Sequence, residues 1–246
     1  MQVWELSPGR LMIAGGFSDL AVHHHAAVQI TVGGRGPLTV TRDGETHEAC
    51  RLVVIASGVR HAVRSQPESG AVTLYLGLQT PQGIALNTIA RPRVWVVDDG
   101  EHLAEATATL LDNDGPGAAA DFLVDRLCGA QEPPPVHPQL RQAIEVVSSR
   151  VPDHIDVTSA ASAVALSPDY LGRLAKQQNG ISFSATIRWE RLIAAVSYLL
   201  DGYSVTDAAH QAGFADGSHA NKVCWEMTGA TPSELADAVR RTLLRP

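Results

Sequence analysis

The chain has 246 residues, 45% of them hydrophobic and 18% charged, with 19 Lys and Arg against 26 Asp and Glu and a formal net charge of −7. This excludes a disordered or fibrous chain and one that coats nucleic acid indiscriminately, and the length suits one large or two medium domains. No apolar run approaches the ~18 residues of a membrane helix, the N-terminal residues lack a signal-peptide pattern, and Cys50, Cys128 and Cys224 lie too far apart for a disulfide framework or cysteine zinc site, which favours the cytoplasm.

Short β-prone runs come first, at 27–32, 37–41, 52–55, 72–76 and 94–97, separated by Gly33-Gly34, Asp43-Gly44, Ser57-Gly58 and Ser69-Gly70. Many short strands at such spacing predict a β-sandwich or barrel over about 10–97. From about 101 to 129 the spacing turns helical, with Leu103, Ala106 and Leu110, a break at 113–117, then Phe122, Leu123 and Leu127. Two amphipathic helices there would cover the open end of the β-domain or pair with a second subunit. Residues 131–139 hold four prolines in nine, which predicts an extended, semi-rigid linker.

Everything after the linker reads as helix. Leu140, Ala143, Ile144 and Val147 form one apolar stripe, and Asp156 caps a second helix. Ser167 caps a third, with Pro168 at its first position and Asn179-Gly180 as a left-handed stop. A longer helix at 184–201 closes at Gly202, a fifth starts at Ser204, and a sixth covers 217–228 up to Gly229. Thr231-Pro232-Ser233-Glu234 opens the seventh as a capping box. Seven short helices in about 105 residues predict a compact all-α domain.

Charge divides unevenly between these parts. Residues 1–139 carry 9 basic and 15 acidic side chains, net −6, whereas 140–246 carry 10 and 11, net −1. Lys176 and Lys222, the only lysines, both fall in the second part.

The helical part repeats itself. Asp156, Ala161 and Ala165-Leu166 match Ser204, Ala209 and Gly213-Phe214 at an offset of 48, and Leu171, Arg173 and Gly180 match Ala220, Lys222 and Gly229 at 49. Each unit is a capped helix, a small-residue turn and a second helix, a helix-turn-helix. From about 155 to 235 the chain resembles the AraC/XylS transcriptional regulators. The second unit carries this in Val205-Thr206-Asp207-Ala208-Ala209, Ala212-Gly213-Phe214-Ala215-Asp216, Ser218-His219, Lys222, Gly229 and Thr231-Pro232. The first carries it in Leu166-Ser167-Pro168, Leu171, Arg173-Leu174, Lys176 and Gly180-Ile181-Ser182-Phe183. Ala175, Ala220 and Cys224 depart from the family's preference for large apolar core residues, and Asp169, Asp216 and Glu226 weaken general phosphate attraction.

The resemblance implies two recognition helices in successive major-groove segments of promoter DNA. On the first, Tyr170, Arg173, Lys176 and Gln177 are the candidate contacts, and on the second Ser218, Asn221 and Lys222. Arg173 and Lys222, equivalent in the repeat, are the leading base readers. Arg188 and Arg191 on the connecting helix are candidates for phosphate positioning, while the C-terminal arginines read as a solvated tail.

In the β-domain, His23 and His25 share a strand face with Gln29, and His24 points the other way. With Ala56-Ser57-Gly58-Val59-Arg60-His61 they resemble the two motifs of the cupin family over about 10–97. Gln29 stands where the family has an acid, Ala56 where it has Pro, and Gly36 and His61 are kept. This implies a double-stranded β-helix barrel acting as a sensor, with His23, His25, Gln29 and His61 around a small-molecule effector or, with the carboxylate lost, less readily a divalent transition metal. Imidazoles lining a ligand pocket, or making ordinary core hydrogen bonds, are the alternative to metal.

The expected architecture is multidomain β + α. A cupin-like β-barrel sensor at 1–100 is followed by a helical extension at 101–130, the linker at 131–139, and an all-α double helix-turn-helix domain at 140–246. The expected function is a cytoplasmic, non-enzymatic, ligand-sensing DNA-binding regulator that meets RNA polymerase, pairs as a homodimer through the extension, and has no membrane association. A cupin metalloenzyme fused to a helical domain, or an interaction protein that has lost DNA binding, are the rival readings.

Overall fold

The structure, a computed structural model, describes residues 1–7, 9–15, 21–66, 68–129, 135–151 and 155–243. Phe17, Arg245 and linker residues 131–134 lie outside them. Eight strands come first: β1 Gln2–Ser7, β2 Arg10–Gly15, β3 Ala27–Gly33, β4 Leu38–Arg42, β5 Glu45–Cys50, β6 Leu52–Ile55, β7 Ala62–Ser65 and β8 Ala71–Gly77. Helix α1 Pro81–Ala90, strand β9 Val94–Val96, and helices α2 Gly100–Asn113 and α3 Pro116–Cys128 follow. The helical domain comprises α4 Pro138–Arg150, α5 Val157–Ala163, α6 Pro168–Asn179, α7 Phe183–Leu200, α8 Val205–Gln211, α9 Gly217–Thr228 and α10 Pro232–Leu243.

The strands form an antiparallel six-stranded sheet, β1-β2-β8-β3-β6-β9, and a three-stranded sheet, β5-β4-β7. The sheets face one another across a shared apolar interior that includes Val53, Ile55 and Tyr75 from the first and Leu38, Val40 and Val63 from the second. The central strands β3 and β8 are buried along their whole length, because both their faces are covered. Val28, Ile30, Val32, Leu74 and Leu76 face a layer that includes α1, α2 and α3. The opposite face of the same two strands carries Gln29, Thr31, Thr73 and Tyr75 into the interior, so a polar line runs through an otherwise apolar core.

Three elements differ from the sequence expectation. β1 pairs with β2 ahead of the expected start of the β-domain. β5 is polar and mostly exposed on both faces, so no hydrophobic alternation marks it. α1 begins at a Thr80 cap, whose side chain accepts from the Gly83 amide, with Pro81 in the first turn. α2 and α3 pack on the six-stranded sheet.

In the helical domain the caps form as the residues dictate. Asp156 and Ser159 make a reciprocal box, Ser167 and Ser204 accept from the Tyr170 and Asp207 amides, and Gly180 and Gly229 end α6 and α9 in left-handed conformations. α4 starts at Pro138, inside the proline-rich segment. The small core residues Ala175, Ala220 and Cys224 are all buried, and Ala220 and Cys224 border a cavity of about 30 Å³ between α7, α8, α9 and α10.

α7 is the axis of the chain. Phe183 and Ile187 join the core of α4, α5 and α6, whereas Trp189, Leu192, Val196 and Leu199 share one continuous core with α8, α9, α10 and the β-domain interior. Glu190 is buried between α7 and α4, with Ser148 Oγ donating to its carboxyl at 2.9 Å, and burial raises that carboxyl from 4.5 to about 7. An acid whose folded value lies above its unfolded one holds its stability below pH 4.5 and loses it as pH rises to 7. Glu190→Gln should therefore leave stability at pH 5 nearly unchanged and raise it at pH 8 by about 2–3 kcal/mol, read from urea unfolding at both pH values.

Candidate functional site

The three predicted histidines and the glutamine converge. His23 and His61 form an isolated antiparallel bridge, with both amides bonded at 2.9 and 3.0 Å, and this sets His61 beside the segment ahead of β3 that carries His23 and His25. All four side chains are buried. The ring atoms of His23, His25 and His61 that could hold an ion lie within 4.8 Å of one another.

Protons decide what these groups can do. Nδ1 of His23, His25 and His61 lies 2.8, 2.9 and 2.9 Å from the carbonyls of Ala21, Ala27 and Val59. A carbonyl only accepts, so each Nδ1 carries the hydrogen and each Nε2 of the neutral ring presents a lone pair. Burial holds all three below the ordinary 6.5, His25 at about 3, so the rings are neutral at physiological pH. The Nε2 atoms of His25 and His61 nevertheless lie 2.8 and 3.0 Å from Gln29 Oε1, lone pair against lone pair, while Gln29 Nε2 donates to Thr31 Oγ1 at 2.8 Å. Turning the amide over would supply hydrogens to His25 and His61. His23 Nε2, buried and without a hydrogen-bond partner, would still be left over.

A divalent cation shared by the three Nε2 atoms and Gln29 Oε1 satisfies the set at once. Two donors each about 2.1 Å from one ion lie about 3.0–3.4 Å apart, close to the spacing of Gln29 Oε1 from His25 and His61 Nε2. Neutral nitrogen donors with one amide oxygen suit a transition ion such as Zn²⁺, Ni²⁺ or Cu²⁺ better than Mg²⁺ or Ca²⁺. The residues present therefore fit the metal that the cupin resemblance implies.

The cluster also touches the helical domain, which no local sequence pattern indicated. The buried Trp189 indole of α7 lies 5.6 Å from the His25 ring and 5.4 Å from Tyr75, and His25 meets Tyr75 edge-on at 5.1 Å. The His24 amide donates to the Glu226 carbonyl in α9 at 3.0 Å. The Ser57-Gly58 turn is tied to the same segment by the Gly58 amide, which donates to the His25 carbonyl at 3.0 Å. Gly58 sits at φ +76 with its missing Cβ aimed 2.7 Å from the Gly180 carbonyl at the end of α6, and Arg91 Nη1 donates to the Gln177 and Gln178 carbonyls there. The N-terminal domain thus grips the C-terminal ends of both proposed recognition helices.

The DNA-side candidates lie at the surface. Tyr170, Arg173, Lys176 and Gln177 are exposed on α6, with the Arg173 guanidinium over the Tyr170 ring and Lys176 Nζ donating to the Gly180 carbonyl. Ser218, Asn221 and Lys222 are exposed on α9, as is the neighbouring Trp225. Arg188 and Arg191 behave differently: both are half-buried, Arg188 donating to Glu226 Oε2 at 2.9 Å and Arg191 to the Ile155 carbonyl at 3.0 Å. The other Glu226 oxygen lies 3.9 Å from Lys222 Nζ.

A family model described as a helix-turn-helix domain matches residues 160–238. The arabinose operon regulatory protein of Salmonella typhimurium is 34% identical over 104 residues, 41% of this chain and 37% of that protein. The regulatory protein PocR of the same organism is 29% identical over 101 residues, 41% of this chain and 33% of that one. Residues 160–238 thus carry a helix-turn-helix domain. It spans little more than a third of the length of those curated relatives. Over almost its whole length it has the fold of ToxT from Vibrio cholerae O395, with a TM-score of 0.64 at 12% identity over 95% of this chain and 99% of that one. Wild-type ToxT with an unsaturated fatty acid bound gives 0.62 at 14% identity over 95% and 96%. The helix-turn-helix domain and the β-domain before it are therefore arranged as one fold, and the β-then-α architecture expected from the sequence holds.

The seam between the two is testable through Gly58. A methyl at this left-handed position would press on the Gly180 carbonyl, so Gly58→Ala should destabilise the protein by about 1–3 kcal/mol. Chemical denaturation measures this, and Gly44→Ala, at a left-handed glycine with nothing within 4 Å, is the control for backbone strain alone.

Proposed function

We propose that the protein is a one-component transcription regulator in which the AraC-type domain reads double-stranded promoter DNA and the histidine pocket takes the effector. The observation that carries this reading is the duplicated unit: two capped helices, α6 and α9, each presenting a cation to solvent at the equivalent position, Arg173 and Lys222. Both side chains can bond the O6 and N7 acceptors of guanine in the major groove. Tyr170, Lys176, Gln177, Ser218 and Asn221 flank them and complete the contact surface. Arg188 and Arg191, engaged within the protein, hold α7 in place rather than phosphate. The regulatory names of the curated relatives support the same reading.

For the effector, the donor set favours a divalent transition ion, held by Nε2 of His23, His25 and His61 and by Gln29 Oε1. Such an ion supplies the positive charge that four converging lone pairs lack. A small organic effector is the second reading, which the fatty-acid-bound ToxT structure supports. The regulator works in the cytoplasm and meets RNA polymerase at the promoter. The faces of α2 and α3 turned away from the sheet serve a homodimer contact.

Two measurements test these assignments. Arg173→Ala and Lys222→Ala should each weaken binding to a duplex selected by the full chain by about 1–3 kcal/mol and scarcely alter binding to random duplex; wild-type footprints from both variants would remove them as base readers. Elemental analysis of untagged protein should find about one equivalent of transition metal, lost in His25→Ala. Less than a tenth of an equivalent after incubation with Zn²⁺ or Ni²⁺ would leave the organic effector as the reading.

A further inference from the structure

The contacts between the histidine pocket and the helical domain are not those of two modules that happen to abut. The segment 23–25, just ahead of β3, supplies His23 and His25 to the pocket, and its middle residue, His24, spends its amide on the carbonyl of Glu226 in the second proposed recognition helix. The Glu226 carboxylate in turn reaches Arg188 on α7 and the proposed base reader Lys222. In the same segment, the His25 ring is packed against Trp189, the buried residue one position from Arg188. The segment carrying His23 and His25 is therefore fastened to α9 by a hydrogen bond and to α7 by an aromatic contact. The loop bearing His61 completes the arrangement: its Ser57-Gly58 turn lies against the end of α6.

From this geometry we infer that metal occupancy of the pocket sets DNA affinity, with Trp189 and the His24–Glu226 bond as the link, so that the loaded protein is the tighter DNA binder. The inference rests on the metal reading given above. Its sign follows from two features. Two donor pairs already have the spacing an ion requires, the three imidazoles converge within 4.8 Å, and Trp189 and Tyr75 pack on His25, so an ion that draws the set together stabilises closure. The reading side chains Arg173 and Lys222 are exposed in that same arrangement, so closure does not occlude them. It fixes the ends of α6 and α9 against one rigid domain, and a pre-organised pair of reading helices loses less freedom on binding than a loose pair. Coupling of this kind is reciprocal, so DNA must tighten metal binding by the same factor.

Trp189 is a positioning residue here, and its conservative variant separates coupling from folding. Full-length protein stripped of metal is titrated with Ni²⁺, following indole emission, and its affinity for a duplex selected from random sequence is measured with and without Ni²⁺. Wild type should show quenching that is absent in Trp189→Phe, and DNA affinity should rise about tenfold with Ni²⁺. Trp189→Phe should bind one equivalent of Ni²⁺ yet change DNA affinity less than about twofold, and His25→Ala should show neither response. Stoichiometric Ni²⁺ binding with unchanged wild-type DNA affinity overturns the coupling and leaves the metal site standing. An equal affinity gain in Trp189→Phe overturns the role of the indole. Failure to bind Ni²⁺ at all removes the metal reading and this inference together, while the DNA readers are judged separately by Arg173→Ala and Lys222→Ala.

Discussion

A helix with apolar residues around most of its circumference is stable in water only when something covers every side, and α7 is such a helix. Its Phe183 and Ile187 side is satisfied by α4, α5 and α6. Its Trp189, Leu192, Val196 and Leu199 side is shared between the second helix-turn-helix and the interior of the β-domain. The two recognition units and the sensor are consequently three neighbours of one rod. Separating the β-domain from it would expose a tryptophan and open a core that is continuous across the boundary between the domains.

The pocket draws its character from that arrangement. Polar residues in a β-interior are stable only with partners, and here the partners are counted out closely: three backbone carbonyls take three imidazole hydrogens, and Thr31 and Thr73 extend the line from Gln29. What remains is a surplus of acceptors in a dry place. The glutamine that replaces a carboxylate leaves the donor set neutral, so an ion held there keeps its full charge. A neutral donor set of this kind would hold an ion less tightly than an acidic one and exchange it more readily.

Much of the helical domain was legible from caps and spacing, because those signals act within four residues. Ser167, Asp156, Ser204, Thr231 and the two terminal glycines each fix a local backbone geometry whatever surrounds them. His23, His25 and Gln29 converge, but not by strand parity: only Gln29 lies in a strand, and an isolated bridge between His23 and His61 ahead of β3 brings the imidazoles together. β5 was hidden because a strand exposed on both faces has no hydrophobic signature, and α1 because its Thr80-Pro81 cap lies amid strands. Trp189 at the pocket and Glu226 beneath His24 could not be read at all. They come from more than 160 residues away and owe their position to packing around α7. Arg188 and Arg191, expected at phosphate from their place between the two units, bond to Glu226 and the Ile155 carbonyl, partners that no local pattern announces.

One closure spans the whole chain. β1 is an edge strand of the large sheet, and α10 lies along it, with the Val3 amide donating to Thr242 Oγ1 at 2.7 Å and Arg241 Nε to the Met1 carbonyl at 3.3 Å. An uncovered edge invites pairing with another chain, and a helix laid over it removes the invitation. The Val3 and Thr242 groups that meet there are 239 residues apart in the chain, so the strand is made well before its cover. Until that helix is made the sheet stands with that border unguarded, and contacts of such long sequence separation form slowly. Crowded translation of this protein should select for whatever keeps nascent copies apart until the final helix arrives.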